Sequence, residues 1–338
     1  MPRLLRVDAP DALKGYKAVL REFMAFYHQR ANPYPKDREF TDDELAPIRP
    51  DDIYKWMCKK VYHKEEPGPE DRPIFGRSDS LKFYKKAISY FMPNRLMTWN
   101  ELTNTGNPTK SILINTLIRV VIKKETRGLG KPSQADREFE KEEFEQQIAI
   151  LQTFDDIKRK YMYPTMFKFQ FHLIARIDDT AHVRKDSIQV CPQFPEIALV
   201  TRLRWSKNVR EERDAPTQII LGAMNPIYCM LLAFSIFLEV YIGTGEGQIG
   251  EYVFCEAGCD PDTVKDHASS AQKKYVLKNP LFRRIRRDGN LGTHSNRKYP
   301  TTDARKNGAP KDDVDYRARW RARKRQQDTY TAGHTMLR

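Results

Sequence analysis

The chain has 338 residues, enough for two domains of ordinary size that each bury a hydrophobic core of their own. Its 59 Lys and Arg residues against 45 Asp and Glu give a formal net charge of +14, which favours a polyanionic partner such as a nucleic acid. No apolar stretch follows the basic residues 1–6, and the longest apolar run, 227–238, is too short for a bilayer, so we expect neither a secretory signal nor a membrane span.

The first half of the chain is predicted to form helices joined by polar loops. Apolar residues recur at helical spacing in four segments, at 13–27, 53–61, 81–91 and 114–121. Asn107 and Pro108 precede the last segment, and an amide cap followed by a first-turn proline predicts that a helix begins there. The segment 126–137 contains two glycines and a proline and is predicted to be a linker. We therefore expect a helical domain over residues 1–130.

The second half mixes helices with a short β-hairpin. A helix is expected around 144–151, and a longer one from about 164 into Arg176. Residues 197–205 alternate with period two, which predicts a half-buried strand, and a second strand at 218–221 would pair back onto it. The chain reads as helical again after this hairpin. The expected fold is thus mostly α with a small antiparallel β-sheet (α+β), and the second domain spans 138–338.

The basic end of the chain carries candidate phosphate chemistry. From 281 to 338 there are sixteen Lys and Arg residues against six Asp and Glu, a composition that alone would be typical of a solvated tail. Within this segment His294 precedes Arg297 by three positions, a spacing that places both side chains on one side of a helix opening after Gly292. Histidine exchanges protons near neutral pH, and arginine offers a rigid fork for two phosphate oxygens.

Arg176 is the candidate for a second phosphate-binding arginine. Two guanidinium groups can neutralise the charge that builds on a five-coordinate phosphorus, and Arg176 with Arg297 is the pair we select. Taken singly, either residue would be read as one of many basic residues on a surface. Arg176 ends an apolar helical face, and Asp179, three residues later, is predicted to lie on the same face and to hold the guanidinium in place.

Trp320 and Tyr330 complete the set. A tryptophan is more often part of a core, but Trp320 lies in a very basic stretch, and its indole N–H could donate to a phosphate oxygen. A tyrosine can act as a covalent nucleophile. Three of the sixteen tyrosines follow His294: Tyr299 is too close to Arg297 to swing onto the same phosphate, Tyr316 precedes the tryptophan, and Tyr330 is left.

The catalytic set of the tyrosine recombinase (phage integrase) family resembles an ordered set in this chain: Arg176, Lys207, His294, Arg297, Trp320 and Tyr330. The resemblance covers residues 138–338 well and the helical first half loosely. Thr302, Ala304 and the pair Gly308–Ala309 are similar to the family's usual continuation after the histidine and arginine. The segments 293–298 and 106–128 look closest to the recombinases of eukaryotic Crypton-type DNA transposons.

The resemblance implies a role for each residue. Tyr330 would attack the scissile phosphate, giving a 3′-phosphotyrosyl link and a free 5′-hydroxyl, while the other five residues activate and stabilise that phosphate. Lys207, in or beside the connection of the predicted hairpin, would protonate the departing sugar oxygen. Because the link retains the bond energy, rejoining needs neither ATP nor a metal, and no cofactor is expected. Two departures from the family are that Trp320 stands where many members have histidine and that only eight residues follow Tyr330.

The resemblance also implies partners and a setting. It implies a C-shaped clamp around double-stranded DNA, with monomers or dimers in solution and a tetramer on two recombination sites. Basic runs at 283–287 and 321–325 suggest a nuclear location in a eukaryotic host. Contacts to DNA are predicted for six basic residues: Lys110, Arg202, Arg204, Arg319, Arg321 and Arg323.

Other interpretations stay open. A type IB topoisomerase also uses Arg, Lys and Tyr, although the His-x-x-Arg element favours a recombinase. A DNA-binding protein of transposon origin that no longer cuts is a second alternative.

The five cysteines form no regular framework, which suits a reducing compartment. Zinc binding by Cys255, Cys259 and His267 is opposed by their spacing and by the lack of an evident fourth ligand.

Overall fold

The computed structural model describes residues 10–206, 215–243, 250–255 and 259–320. The chain divides into two compact units, Met1–Ser133 and Gln134–Arg338. The mostly α fold with a small antiparallel sheet is confirmed. None of the described helices has both the length and the apolar character needed to cross a membrane.

The regular structure of the first unit, over residues 10–133, consists of helices. They are α1 (Pro10–Tyr27), α2 (Asp42–Leu45), α3 (Pro50–Tyr62), α4 (Ser78–Phe91) and α5 (Ile112–Thr126). α1 packs on α4 and α3 packs on α5, and their apolar faces form one core that includes Phe23, Trp56 and Ile88. Burial of these faces is the main favourable contribution to the stability of the unit.

The helix predicted after Asn107 begins later than its first signals suggest. Asn107 Oδ1 accepts from the Thr109 N–H at 3.1 Å and caps only a single 3₁₀ turn, Pro108–Lys110. Ser111 is the N-cap of α5, because its Oγ accepts from the Ile114 N–H at 3.3 Å. Two caps follow each other closely here, and the one nearer the apolar stripe starts the helix.

The second unit combines helices with a three-stranded sheet. In chain order its elements are α6 (Lys141–Leu151), α7 (Ile157–His172), α8 (Ile177–Ala181), β1 (Ile188–Val190), β2 (Ala198–Arg202), β3 (Thr217–Leu221), α9 (Met230–Gly243), α10 (Pro261–Ala271), α11 (Pro280–Ile285), α12 (Thr293–Lys306) and α13 (Lys311–Arg317). α7 packs against α9, and the unit's core includes the fully buried Phe167, Phe169 and Phe237.

The sheet confirms the predicted hairpin and extends it. β2 pairs antiparallel with β3, so that Ala198 lies opposite Leu221 and Arg202 opposite Thr217. β1 pairs with the other edge of β2 and was not predicted, because three residues are too few to show a period of two. Lys207 falls within the connection between β2 and β3 but lies outside the described residues.

α7 differs from its prediction at both ends. It begins at Ile157 and contains Pro164, where the sequence suggested that the helix would start. It ends at His172, because the chain turns at Ile174, whose φ of 45° is a left-handed conformation that is unfavourable for a β-branched residue. Arg176 is therefore not part of α7 and begins the next helix instead.

Candidate active site

Arg176 is the N-cap residue of α8, and Asp179 holds its main chain. Asp179 Oδ2 accepts from the Arg176 backbone N–H at 3.1 Å. Over the described residues, the contacts of the Asp179 carboxylate are with this main-chain group and with the Arg319 guanidinium. The prediction that Asp179 holds the Arg176 guanidinium is therefore corrected to a hold on the Arg176 main chain. The physical reason is the end of α7, which places Asp179 in the first turn of a new helix. Arg176 itself is half-buried.

α12 begins as predicted, directly after Gly292. Ser295 Oγ accepts from the Gly292 backbone N–H at 3.0 Å. A Cβ at position 292 would lie 2.5 Å from Asp136 Oδ2, so any larger residue would displace that carboxylate. His294 is exposed on the first turn of α12, and Arg297 follows one turn later with 1% of its surface exposed. Both side chains therefore belong to the start of one helix.

The buried Arg297 joins α12 to the residues that follow α13. Its Nη2 donates to Ala318 O at 2.8 Å. Its Cζ lies 5.4 Å from the centroid of the Trp320 ring, a distance typical of cation–π contacts. A guanidinium held in this way is already oriented before a phosphate arrives, which is how a preorganised site stabilises developing charge.

Trp320 is half-buried and combines a core contact with its contact to Arg297. Its backbone N–H donates to Asp315 O at 2.9 Å. The ring packs against a small apolar cluster that contains Ile174 and Val314. The turn at Ile174 that releases Arg176 from α7 thus also supports the tryptophan.

Arg176 and Arg297 both lie within electrostatic reach of His294. The pKa of His294 is lowered from its ordinary value, and the largest cause is desolvation of the ring by the protein groups around it, although the residue as a whole keeps an exposed surface. The Asp136 carboxylate opposes this shift, and the positive charges of the two arginines and of Lys298 add to it. The imidazole is therefore neutral at pH 7, which is the form that accepts a proton.

Arg319, which was predicted to contact DNA, is buried within the second unit. Its side chain is 5% exposed, and its Nη2 lies 2.5 Å from Oδ2 of Asp179, whose side chain is 1% exposed. Its Nη1 lies 3.4 Å from Leu203 O. The side chain turns inward because a buried carboxylate needs a positive partner, so Arg319 is placed as an internal contact and not as a surface one.

The other predicted residues fall into two groups. Lys110 belongs to the first unit, where its Nζ donates to Leu96 O at 2.9 Å. Arg202 lies on β2, and the exposed Arg204 lies 3.9 Å from Asp186. DNA contacts by these three residues stay predictions. The remaining four lie outside the described residues: Lys207, Arg321, Arg323 and Tyr330.

The two tyrosines that were set aside as nucleophiles differ in exposure. Tyr299 is 6% exposed, and its hydroxyl lies 3.0 Å from the Tyr228 hydroxyl. Burial is the largest cause that raises the pKa of Tyr299 to about 12, so this phenol resists deprotonation and serves the core. Tyr316 lies on α13 and is 62% exposed.

Sequence reasoning missed the segment 134–138, which is attached along 288–298. Arg137 donates from its backbone N–H to Asn290 O and from Nε to Asp288 O, each at 2.8 Å. Lys298 Nζ donates to Asp136 O. These contacts place the Asp136 carboxylate at the start of α12. Because partners such as Arg137 and Asp288 are 151 residues apart, no local pattern could have shown the attachment.

Within the part of the chain that the structure describes, no group of three or more His, Cys, Asp and Glu side chains is arranged to hold a metal ion. Burial is the largest cause that raises the pKa of Cys255 to about 12, which keeps the thiol protonated.

The site therefore gathers the guanidinium groups of Arg176 and Arg297 around the imidazole of His294, with the Trp320 ring against Arg297. Such a set can bind the nonbridging oxygens of a phosphodiester and stabilise the extra charge of a five-coordinate phosphorus. The imidazole can exchange one proton with the reacting groups.

No family model and no curated protein sequence matches the chain. Among solved structures, it is similar to a lambda integrase tetramer bound to a Holliday junction, with 10% identity, coverage of 97% of this chain and 73% of that chain, and a TM-score of 0.49. XerH site-specific recombinase bound to difH substrate has 11% identity, coverage of 84% and 93%, and a TM-score of 0.44. XerA recombinase has 12% identity, coverage of 96% and 88%, and a TM-score of 0.40. Because these similarities are distant, the chemistry of the site is inferred from the residues of this chain alone.

Proposed function

We propose that this protein is a tyrosine-type site-specific DNA recombinase that cuts and rejoins DNA strands through a 3′-phosphotyrosyl intermediate. The observation that carries the proposal is the grouping at His294, where the start of α12, with Arg297, meets Arg176 from a distant part of the sequence, and both arginines act electrostatically on the imidazole. The net charge of +14 and the order of Lys207 and Tyr330 in the sequence support it.

In the proposed reaction, Arg176 and Arg297 bind the nonbridging oxygens of the scissile phosphate. The Tyr330 oxygen forms a bond to phosphorus while the bond between phosphorus and the 5′-oxygen of the next nucleotide breaks. The phenolic proton passes to the neutral imidazole of His294, and the leaving 5′-oxygen takes a proton from Lys207. Rejoining reverses these steps with the 5′-hydroxyl of a partner strand, so the energy of the phosphodiester is conserved.

The proposal is tested with nicked, strand-trapping DNA that carries the ends of the transposon proposed to encode this protein. Wild-type protein should form a covalent protein–DNA adduct that survives denaturation on a gel. Tyr330→Phe should abolish the adduct and leave the affinity for DNA nearly unchanged, because only the attacking oxygen is removed. The matched control is Tyr316→Phe, which changes an exposed phenol nearby in the sequence and should keep the adduct. An adduct that persists in Tyr330→Phe would show that another residue is the nucleophile.

Two further outcomes would replace the proposal. Efficient relaxation of any supercoiled plasmid, without paired sites, would support a type IB topoisomerase. Tight DNA binding by the wild-type protein with no adduct would support a DNA-binding protein that no longer cuts.

Our finer proposal is a recombinase of the Crypton type that acts as a tetramer on two sites in a nucleus. The likeness of the segments 293–298 and 106–128 to such recombinases and the basic runs at 283–287 and 321–325 support it. Sedimentation of the protein with and without its site DNA would measure the change in oligomeric state.

A further inference from the structure

Arg319 adopts a backbone conformation that is unfavourable for its residue type. Its φ is 56°, in the left-handed region that residues with a Cβ rarely adopt. A glycine would take this conformation without strain. Contacts of the arginine side chain are therefore expected to offset the strain.

The side chain of Arg319 forms a buried ion pair with Asp179. The two side chains are 5% and 1% exposed, and the nitrogen and oxygen lie 2.5 Å apart. Removal of two charges from water is costly, so such a pair contributes little net stability compared with apolar side chains of the same size. We therefore explain the presence of this ion pair by the groups that it holds in position.

Asp179 uses one carboxylate oxygen for two donors. Its Oδ2 accepts from Arg319 Nη2 at 2.5 Å and from the Arg176 backbone N–H at 3.1 Å. The guanidinium of Arg319 thus holds the carboxylate, and the carboxylate holds the first turn of α8, where Arg176 is the N-cap residue. Loss of Arg319 would leave the Asp179 charge buried without this partner and would release that turn.

The residues next to Arg319 are themselves anchored. Arg317 donates from Nε to His172 O and from Nη2 to Ile219 O, each at 2.8 Å. Trp320 follows directly and lies against Arg297. This short segment is therefore attached to the end of α7, to β3 and to α12, and the Arg319 side chain adds α8 to the same assembly.

We propose that Arg319 is a positioning residue that sets the place of Arg176 relative to Arg297 through Asp179, so that both guanidinium groups reach one phosphate. This role rests on the DNA-cleavage function proposed above. Arg319 acts only through its neighbours, and the phosphate is bound by Arg176 and Arg297.

The test uses a double variant, Asp179→Asn with Arg319→Gln, in the full chain. It removes both buried charges while an amide oxygen remains to accept from the Arg176 N–H, so the fold is retained. Adduct formation is measured on the strand-trapping DNA described above. It is also measured on the same DNA with a methylphosphonate at the scissile position, where a methyl group replaces one nonbridging oxygen. The methylphosphonate carries no negative charge and therefore depends less on a second guanidinium.

On the ordinary phosphate, the double variant should lose about 100-fold in cleavage rate, the effect expected when a reacting group is displaced by ~1 Å. On the methylphosphonate, the loss should be less than about threefold, and Arg176→Ala should give the same pattern, because in both variants the missing contribution is charge neutralisation. Arg319→Lys keeps the charge but not the planar fork and should lose about tenfold on the ordinary phosphate.

The matched control neutralises an exposed ion pair of the first unit, Lys17→Gln with Glu39→Gln, and should change neither rate. Equal losses of the Asp179/Arg319 variant on both substrates would indicate general destabilisation and would overturn the positioning role. An unchanged rate on the ordinary phosphate would also overturn it. If the wild-type protein forms no adduct with either DNA, the proposed function itself fails, and the inference falls with it.

Discussion

The two units bury different kinds of polar side chain. Over residues 13–133 the buried polar side chains are uncharged and occur at helix starts and turns: Ser78, Asn107, Thr109 and Ser111. The described part of the second unit also buries charged residues: Glu143, Lys168, Asp179, Arg297 and Asp315. Because burial of a charge is costly, a fold keeps buried charges where their position matters. The buried charges of the second unit include Asp179 and Arg297, which belong to the active site that we propose.

Not every buried charge of the second unit belongs to the candidate site. Glu143 accepts from both terminal nitrogens of Arg137 at 2.7 and 2.6 Å, and this pair attaches the start of the unit to α6. Lys168 donates to Pro226 O at 2.8 Å, and burial lowers its pKa to about 8. Glu143 and Lys168 therefore serve packing. Asp179 instead contacts the main chain of Arg176, and Arg297 is one of the two arginines that we assign to the phosphate.

The largest expected effect is on chemistry in the second unit. Arg297→Ala should lower the cleavage rate about 1,000-fold, because it removes a preorganised donor that stabilises the five-coordinate phosphorus. The control is Lys110→Ala in the first unit, which should leave the rate of cleavage of bound DNA unchanged. Single-turnover measurement of adduct formation gives both rates. Equal losses in the two variants would contradict the assignment of the cleavage chemistry to the second unit.

A large effect on stability is expected for the buried ion pair. Asp179→Ala should lower the free energy of unfolding by about 3–5 kcal/mol, because it leaves the buried Arg319 guanidinium without its counter-charge. Glu39→Ala removes an exposed partner of Lys17 in the first unit and should give no measurable change. Urea denaturation followed by circular dichroism measures both. A similar change in the two variants would mean that the burial of charge does not distinguish the units.

The dependence of cleavage on pH should report on His294. Its pKa in the folded protein is lowered, so the neutral imidazole persists below the ordinary value of about 6.5. The cleavage rate should be maintained at pH 7 and fall as the pH drops through this lowered pKa. Folding favours the neutral form, so the associated stability is present above about 6.5 and is lost as the pH falls from there toward the folded pKa.

His294→Gln should remove this inflection and lower the rate about 100-fold. His63→Gln in the first unit is the control and should leave the profile intact. A pH–rate profile that is identical in His294→Gln and wild type would exclude the imidazole as the proton acceptor.

The smallest expected effect concerns the basic end of the chain. Arg321→Gln with Arg323→Gln should weaken DNA binding without changing the cleavage rate of bound DNA. Each phosphate contact adds about 0.9 to the slope of log affinity against log salt concentration. If both arginines contact phosphates, the slope should therefore become shallower by about 1.8. Fluorescence anisotropy at several salt concentrations measures this slope. An unchanged slope would mean that these arginines do not contact the DNA backbone.

Much of the local structure could be read from the amino acids. Three features follow from periodicity, caps and turns, which depend on residues close in the chain: the helical faces of the first unit, the pairing of the predicted strands 197–205 and 218–221, and the start of α12 after Gly292. The pairing of His294 with Arg297 on one helix is local for the same reason. The chemistry proposed for Lys207 and Tyr330 also comes from their order in the chain and from family resemblance.

Contacts between remote segments determined the rest. The turn at Ile174, just after the end of α7, made Asp179 a cap for Arg176. The carboxylate of Asp179 is paired with Arg319, whose basic surroundings had suggested a DNA contact. The Asp136 carboxylate reached the start of α12 through hydrogen bonds that no local pattern predicts. The direction of a charged side chain depends on which opposite charge the fold buries beside it, and that neighbour can be more than a hundred residues away along the chain.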